Sequence, residues 1–236
     1  MNHKIIVESF NDRAIYSHIL NKHCTSKADI ETISDSPEWL ELGGLSEAAL
    51  VIKLKDIKSD IYKAPETLKI GIIVDIDNET SEDRISLLNR ACSSAFGINI
   101  NITSINSFKK FIIYDENEDE FDFELSYYLS GFNGKGELEH LLKEIADKSA
   151  SHHANCLETG WKLCLESKGI SVDDKQLRKL WMDFYKRLDC LTKTEQRKAQ
   201  ENVQWHNFLN LHPEKFDFSR NIPELNELRS FLTFFC

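Results

Sequence analysis

Short apolar runs alternate with amphipathic stretches through the first part of the chain. Residues 4–7, KIIV, form a short apolar run with β-branched residues, and an amphipathic stretch from Arg13 to His23 follows a polar turn, so we predict a strand and a helix. A second short strand is expected around Ile30 to Ile33. After a turn at Pro37, the pair Gly43-Gly44 precedes another helical pattern. The pattern therefore predicts repeated strand and helix units.

The most apolar run of the chain covers residues 70–74, where both faces are hydrophobic. This is typical of a central parallel strand, which is covered by helices on both sides. Charge begins abruptly at Asp75, so the strand is expected to end there. Ser81 is the predicted cap of the next helix, and Gly97 is predicted to end it. These residues form the third strand and helix unit.

Two further strand-like runs lie around residues 110–114 and 121–129, joined by an acidic turn. A β-hairpin is the simplest interpretation. From residue 137 to the end, almost every segment has a helical pattern. We therefore predict an α/β fold, a parallel sheet flanked by helices on both faces and followed by a helical C-terminal region. We place the boundary between the two parts at residues 145 and 146.

Acidic residues follow two of the predicted strands directly. Glu8 comes one residue after the first strand, and Asp75 and Asp77 come at the end of the third. The carboxyl ends of parallel strands meet at one edge of the sheet, where functional crevices lie. If strand geometry persists, Asp75 and Asp77 lie on the same side while Ile76 faces the core. Each acid could also be an ordinary helix cap or a solvated turn residue.

Three carboxylates so close together would repel one another strongly unless a cation joined them. Mg²⁺ and Mn²⁺ accept oxygen ligands of this kind. Such an ion polarises a phosphoryl oxygen and activates water, and phosphodiester cleavage is a reaction that uses both effects. The positions of Glu8, Asp75 and Asp77 therefore predict a divalent metal site with Mg²⁺ or Mn²⁺ as its cofactor.

The net charge limits how this protein could meet nucleic acid. The chain has 39 acidic and 29 basic residues and a formal net charge of −10, whereas proteins that coat nucleic acid are normally basic. A metal site that uses several acids, or a separate basic partner, would reconcile the charge with such a substrate. The N-terminus does not read as a secretory signal and no apolar run is long enough for a membrane span. We expect a cytoplasmic protein with no membrane partner.

Three segments resemble a known family. The pattern of residues 5–12, the pair Gly43-Gly44 and the pattern of residues 71–77 resemble the Toprim domain of OLD-type nucleases and of small defence-associated Toprim proteins. The resemblance covers about residues 1–145 and implies a Toprim-like, Rossmannoid fold that binds metal. One departure is Ser9, which stands where the family commonly has Gly.

The resemblance also implies roles for individual residues. Glu8 would be a metal ligand or a general acid/base, and Asp75 and Asp77 would bind metal. Asp12 matches the family's acid four residues after the first Glu and would assist as a further ligand. Glu139 belongs to a segment that resembles a G-x-L-E motif of small Toprim-like proteins, and it could reach the metals. An acid in the first turn of a helix, favoured by the helix dipole, is the alternative for Glu139.

The helical part, residues 146–236, resembles the tail of a little-characterised branch of small Toprim proteins. Related nucleases place a lysine near the metals to meet transition-state charge. Lys198 is the first candidate for that role and Lys193 the second, although a lysine on a helix face is more commonly just solvated.

The resemblance implies a Mg²⁺-dependent Toprim endonuclease, a hydrolase acting on DNA or RNA, with transfer RNA among the candidate substrates and a role in antiphage defence. The alternative is a non-catalytic or partner-controlled Toprim-like binding module that docks on an ATPase or another protein. A third hypothesis is a phosphotransfer or nucleotide-processing enzyme, which is disfavoured because the sequence has no GxxxxGK[ST] phosphate loop. The aromatic helical tail offers a surface for a homodimer.

Overall fold

The computed structural model describes residues 3–23, 28–33, 45–64, 66–77, 79–131 and 136–236. Within them the chain forms one five-stranded sheet with the strand order β2-β1-β3-β5-β4. The strands are β1 (Lys4–Val7), β2 (Asp29–Thr32), β3 (Leu68–Asp75), β4 (Lys109–Tyr114) and β5 (Glu120–Ser130). β1, β2, β3 and β5 are parallel, and β4 pairs antiparallel with β5 as the predicted hairpin.

Among the described residues, four helices belong to the sheet region and six to the C-terminal region. The first four are α1 (Phe10–His23), α2 (Glu47–Ile61), α3 (Ser81–Phe96) and α4 (Leu138–Ile145). The others are α5 (His152–Cys156), α6 (Leu163–Glu166), α7 (Asp174–Phe184), α8 (Ala199–Asn202), α9 (Trp205–Leu211) and α10 (Pro223–Thr233). π-helical turns at Leu157–Lys162 and Tyr185–Cys190 follow α5 and α7, and 3₁₀ turns occur at Lys148–Ala150, Glu195–Lys198 and Pro213–Lys215. The predicted α/β architecture with a helical C-terminal region is confirmed.

The ends of α3 show where local sequence signals succeed and fail. Gly97 ends the helix as predicted, in the left-handed conformation with φ of 76°, which a residue without Cβ adopts at little cost. The predicted cap, Ser81, is instead the first helical residue. Thr80 is the cap, because its hydroxyl oxygen accepts a hydrogen bond from the Asp83 N–H at 3.1 Å. The predicted turn at Pro37 and the pair Gly43-Gly44 lie outside the described residues.

The sheet separates two apolar layers, because successive residues of a strand point to opposite faces. On one face, Ile5, Val7 and Ile73 pack with α1, α4 and the C-terminal helices. On the other face, Ile6 and Ile72 pack with α2 and α3. The C-terminal region thus shares a continuous apolar layer with β1, β3 and α1. The division into two domains at residues 145 and 146 stays a prediction.

A glycine in the central strand gives the C-terminal helix its place on the sheet. A Cβ atom at Gly71 would lie 2.5 Å from Cζ of Phe235 and 2.9 Å from Cζ of Phe231, closer than two carbon atoms can approach. Both phenylalanines are fully buried. The absence of a side chain at Gly71 therefore lets these two rings pack directly against β3.

Several aromatic side chains of the helical C-terminal region are buried, including Trp181, Tyr185, Trp205 and Phe208. Trp161 is 42% exposed. No helix within the described part of the chain is long and apolar enough to cross a membrane.

Candidate carboxylate site

Glu8 and Asp75 meet at the carboxyl edge of the sheet, as the strand pattern predicts. β1 and β3 are adjacent and parallel, with Ile6 opposite Ile72, so the residues that follow each strand emerge side by side. The backbone N–H of Asp75 donates a hydrogen bond of 2.7 Å to Oε1 of Glu8. This bond fixes the Glu8 carboxylate across the end of the neighbouring strand.

Two helices bring further acids to the same edge. Asp12 lies in the first turn of α1, where its Oδ2 accepts hydrogen bonds from the Ser9 N–H at 2.9 Å and the Ser9 hydroxyl at 2.7 Å. Glu139 lies in the first turn of α4, and the neighbouring Leu138 N–H donates to Oδ1 of Asp75 at 3.2 Å. Both helices point their positive N-terminal ends at the acids, which favours negative charge there.

Burial and mutual repulsion dominate the electrostatics of this edge. Burial, with the charges of Asp12 and Asp77 adding to it, raises the pKa of Glu8 to about 7 against the pull of the Asp75 N–H. Burial and the charges of Glu8, Asp12 and Glu139 raise the pKa of Asp75 well above its ordinary value. Burial is also the main cause that raises the pKa of Asp12 and of Glu139.

Four of these acids therefore lie close enough to influence one another's protonation. Among the described residues, none of the four makes an ion pair, and we call them the acid cluster: Glu8, Asp12, Asp75 and Glu139. Partly buried carboxylates without a direct ion pair resist ionisation, so this edge favours added positive charge.

Asp77 also lies at this edge, but the alternation of a continuing strand does not place it there. β3 ends two residues earlier, and Asp77 has a positive φ of 55° and pairs through its backbone with Gly136. Its Oδ2 binds Nη2 of Arg84 and its Oδ1 binds Nζ of Lys175, both at 2.8 Å. The charge of Asp77 is therefore balanced within the chain.

Three charged residues of this edge had no signal that identified them in advance. Glu137 is buried, and its Oε1 forms ion pairs with Nζ of Lys175 and, at 3.6 Å, of Lys179. Its Oε2 is buried without a hydrogen-bond partner in the described structure. Glu137 lies two residues before Glu139, within the G-x-L-E segment of residues 136–139. Lys175 and Lys179 lie one turn apart on α7, where nothing local marks them.

The two lysines proposed from the sequence do not contact this edge of the sheet. Lys193 and Lys198 are both exposed. No hydrogen bond or ion pair of the described residues joins either of them to the acids at the sheet edge. Their proposed role stays a prediction, and Lys175 and Lys179 are the lysines that contact this edge.

The residues at this edge have the oxygen donors and the excess of negative charge that suit Mg²⁺ or Mn²⁺. The unpartnered Oε2 of Glu137 adds a further oxygen without a hydrogen bond. As the side chains stand, no group of three or more acidic, histidine or cysteine residues in the described ranges is arranged to hold a metal ion. The donor chemistry fits such an ion, and binding it requires the carboxylates to turn toward one another.

Comparison with known proteins adds no relative. No family model, no curated protein and no solved structure matches this chain. The resemblance to Toprim domains therefore rests on the motifs around Glu8 and Asp75 and on their position at the sheet edge.

Proposed function

We propose that this protein is a Toprim-like, metal-dependent phosphodiesterase that cleaves nucleic acid at the acid cluster. The observation that carries the proposal is a set of four half-buried carboxyl groups at the carboxyl edge of a parallel sheet, each with a raised pKa and without an ion pair among the described residues. Enzymes place groups with strongly raised pKa values at active sites, and open α/β sheets place their sites at this edge.

Glu8 is the residue whose protonation best suits acid–base chemistry. Its pKa of about 7 lets it gain or lose a proton near neutral pH, which is the condition for an efficient general acid or base. The Asp75 N–H holds its Oε1 in place at 2.7 Å. In this proposal Asp75, Asp12 and Glu139 supply ligand oxygens for Mg²⁺ or Mn²⁺. When bound, the metal supplies polarisation of the phosphoryl group and a more acidic water.

Lys175 and Lys179 add positive charge beside these acids. Lys175 contacts Asp77 at 2.8 Å and also pairs with Glu137, and its pKa is raised by these partners despite partial burial. It stays protonated at neutral pH and could receive the negative charge of a phosphate. We place the activity in the cytoplasm and, from the resemblance alone, in antiphage defence.

The direct test is to incubate the purified protein with Mg²⁺ or Mn²⁺ and either plasmid DNA or total RNA. Asp75→Asn is the test variant, and Asp56→Asn is the matched control because Asp56 is an exposed acid on α2, away from the sheet edge. We expect cleavage by the wild type and by the control, and none by Asp75→Asn. Cleavage by all three proteins would contradict the assignment of the site.

The contacts of Lys175 favour a second candidate function. A cation of the C-terminal region is bound to Asp77 and Glu137, as expected for a site that a partner opens. In that case the protein is a partner-controlled module that docks on an ATPase or another chain. A folded protein that binds metal but cleaves neither DNA nor RNA, and whose Lys175→Gln variant gains cleavage, would support this candidate.

A further inference from the structure

A groove between α1 and α9 differs in charge from the other described cavities. It has a volume of about 630 Å³, and its lining includes Arg13, His18, Lys22 and His206 but no acidic residue. The other four described cavities each have at least one Asp or Glu in their lining. In a chain with ten more acidic than basic charges, a groove with two permanent positive charges and no carboxylate is a local exception.

The cations of this groove are available for a ligand. Arg13 and Lys22 are exposed, and neither side chain has an ion pair or hydrogen bond among the described residues. Lys22 lies 5.5 Å from the ring centre of Phe218. The Nε2 atom of His18 is buried and has no hydrogen-bond partner in the part of the chain that the structure describes. Arg13 also lines a neighbouring cavity that contains Asp29 and Glu31, and both of these acids pair with lysines.

An exposed aromatic ring stands at the end of the groove nearest the acid cluster. Phe10 is 60% exposed, lines the groove and follows Glu8 by two residues. Asp12 lies in the same first turn of α1. From Phe10 to Lys22 the helix rises about 18 Å at 1.5 Å per residue. The groove therefore extends from the proposed catalytic edge along α1 with a ring at its near end and a cation at its far end.

We infer that this groove binds single-stranded nucleic acid and guides it to the acid cluster. Arg13 and Lys22 would contact the phosphates, and Phe10 would stack on a base beside Glu8. Single strands are recognised by this combination of a positive groove and an exposed aromatic side chain. At the 3.4 Å rise of a strand stacked as in a duplex, a length of about 18 Å corresponds to about five nucleotides, and a more extended single strand would span it with fewer. The inference deepens the proposed function, since it names unpaired DNA or RNA as the substrate.

The test measures binding without cleavage. Fluorescence anisotropy of a labelled strand of about 12 nucleotides, a length within the range of known single-strand sites, is recorded in EDTA with DNA and RNA versions and with the matching duplex. We expect the protein to bind the single strand more tightly than the duplex. Binding should weaken by at least tenfold in the Arg13→Gln/Lys22→Gln double variant, and the slope of log affinity against log salt should fall by about 1.4.

Matched controls separate the groove from general electrostatics. Lys55→Gln/Lys63→Gln removes the same charge from exposed lysines elsewhere and should bind like the wild type. Phe10→Ala should weaken binding by about 5-fold to 100-fold, as expected for one lost stacking contact. Ile170→Ala removes another exposed apolar side chain and should change nothing. All of these side chains are exposed, so each variant should fold, which circular dichroism can verify.

The outcomes distinguish this inference from the proposed function. If single strands bind and the groove variants reduce that affinity, but no metal-dependent cleavage occurs, the groove inference is supported and the hydrolase proposal is wrong. If cleavage occurs but the groove variants bind and cleave single strands as well as Lys55→Gln/Lys63→Gln does, the hydrolase proposal is supported and the groove inference is wrong. The groove inference would also be wrong if the protein bound no oligonucleotide, or if the groove and control variants lost the same amount of affinity.

Discussion

Replacing Glu8 by Gln should stabilise the metal-free protein at neutral and alkaline pH. The substitution removes a half-buried carboxylate that has no ion pair within the described structure. Gln keeps an oxygen that can accept the 2.7 Å hydrogen bond from the Asp75 N–H. The change therefore tests the charge of Glu8 while it leaves the packing nearly unaltered.

The size and sign of the effect follow from the two pKa values. The ordinary pKa of Glu8 is 4.5 and its pKa in the folded protein is about 7, which corresponds to about 3 kcal/mol at 1.36 kcal/mol per pKa unit. Below pH 4.5 both states are protonated, so the carboxyl costs nothing. As pH rises from 4.5 to 7, the unfolded state loses its proton while the folded state keeps it, and stability falls. Above pH 7 the full cost is present.

Urea unfolding between pH 4 and pH 8 in EDTA measures this difference. Glu8→Gln and the wild type should have similar stability near pH 4, apart from a constant offset of about 1 kcal/mol if the amide N–H finds no acceptor. At pH 8 the variant should gain about 3 kcal/mol relative to that offset. Added Mg²⁺ should stabilise the wild type much more than the variant. Parallel stability curves across this pH range would refute the raised pKa of Glu8.

Two further changes test the contacts around the site and the sheet. Lys175→Gln removes a cation from two carboxylates and should lower the free energy of unfolding of the metal-free protein by about 1 to 3 kcal/mol. Calorimetric titration should show that the variant binds Mg²⁺ more tightly than the wild type. Weaker binding would contradict competition between this lysine and the metal. Gly71→Ala should cost about 1 to 3 kcal/mol because its Cβ would meet Phe235 at 2.5 Å. Gly160→Ala, with nothing within 4 Å, is the matched control, and equal thermal midpoints for the two alanine variants would refute this packing.

Strand polarity made the centre of the site predictable. Parallel strands end at one edge, so acids that directly follow two such strands must lie near each other, as Glu8 and Asp75 do. Asp77 was harder to place, because alternation applies only while the strand continues. The chain leaves the strand at Asp75 and adopts a left-handed conformation at Asp77.

The cations of the site depend on tertiary packing. Lys175 is 98 residues from Asp77 in sequence, and α7 brings it there only because the apolar faces of the C-terminal helices pack on the sheet. The pattern predicted helices in that region, but a periodic pattern does not orient one helix against another. Lys198, a candidate drawn from the resemblance to related nucleases, lies in a 3₁₀ turn that leaves it exposed.

The most direct test of the central claim is a calorimetric titration of the metal-free protein with Mn²⁺. Wild type, Asp75→Asn and the control Asp56→Asn are compared at pH 7.5. If the acid cluster holds the metal, wild type and Asp56→Asn should bind Mn²⁺ equally and Asp75→Asn should lose at least tenfold in affinity. Equal binding by all three proteins, or no binding by the wild type, would contradict the account.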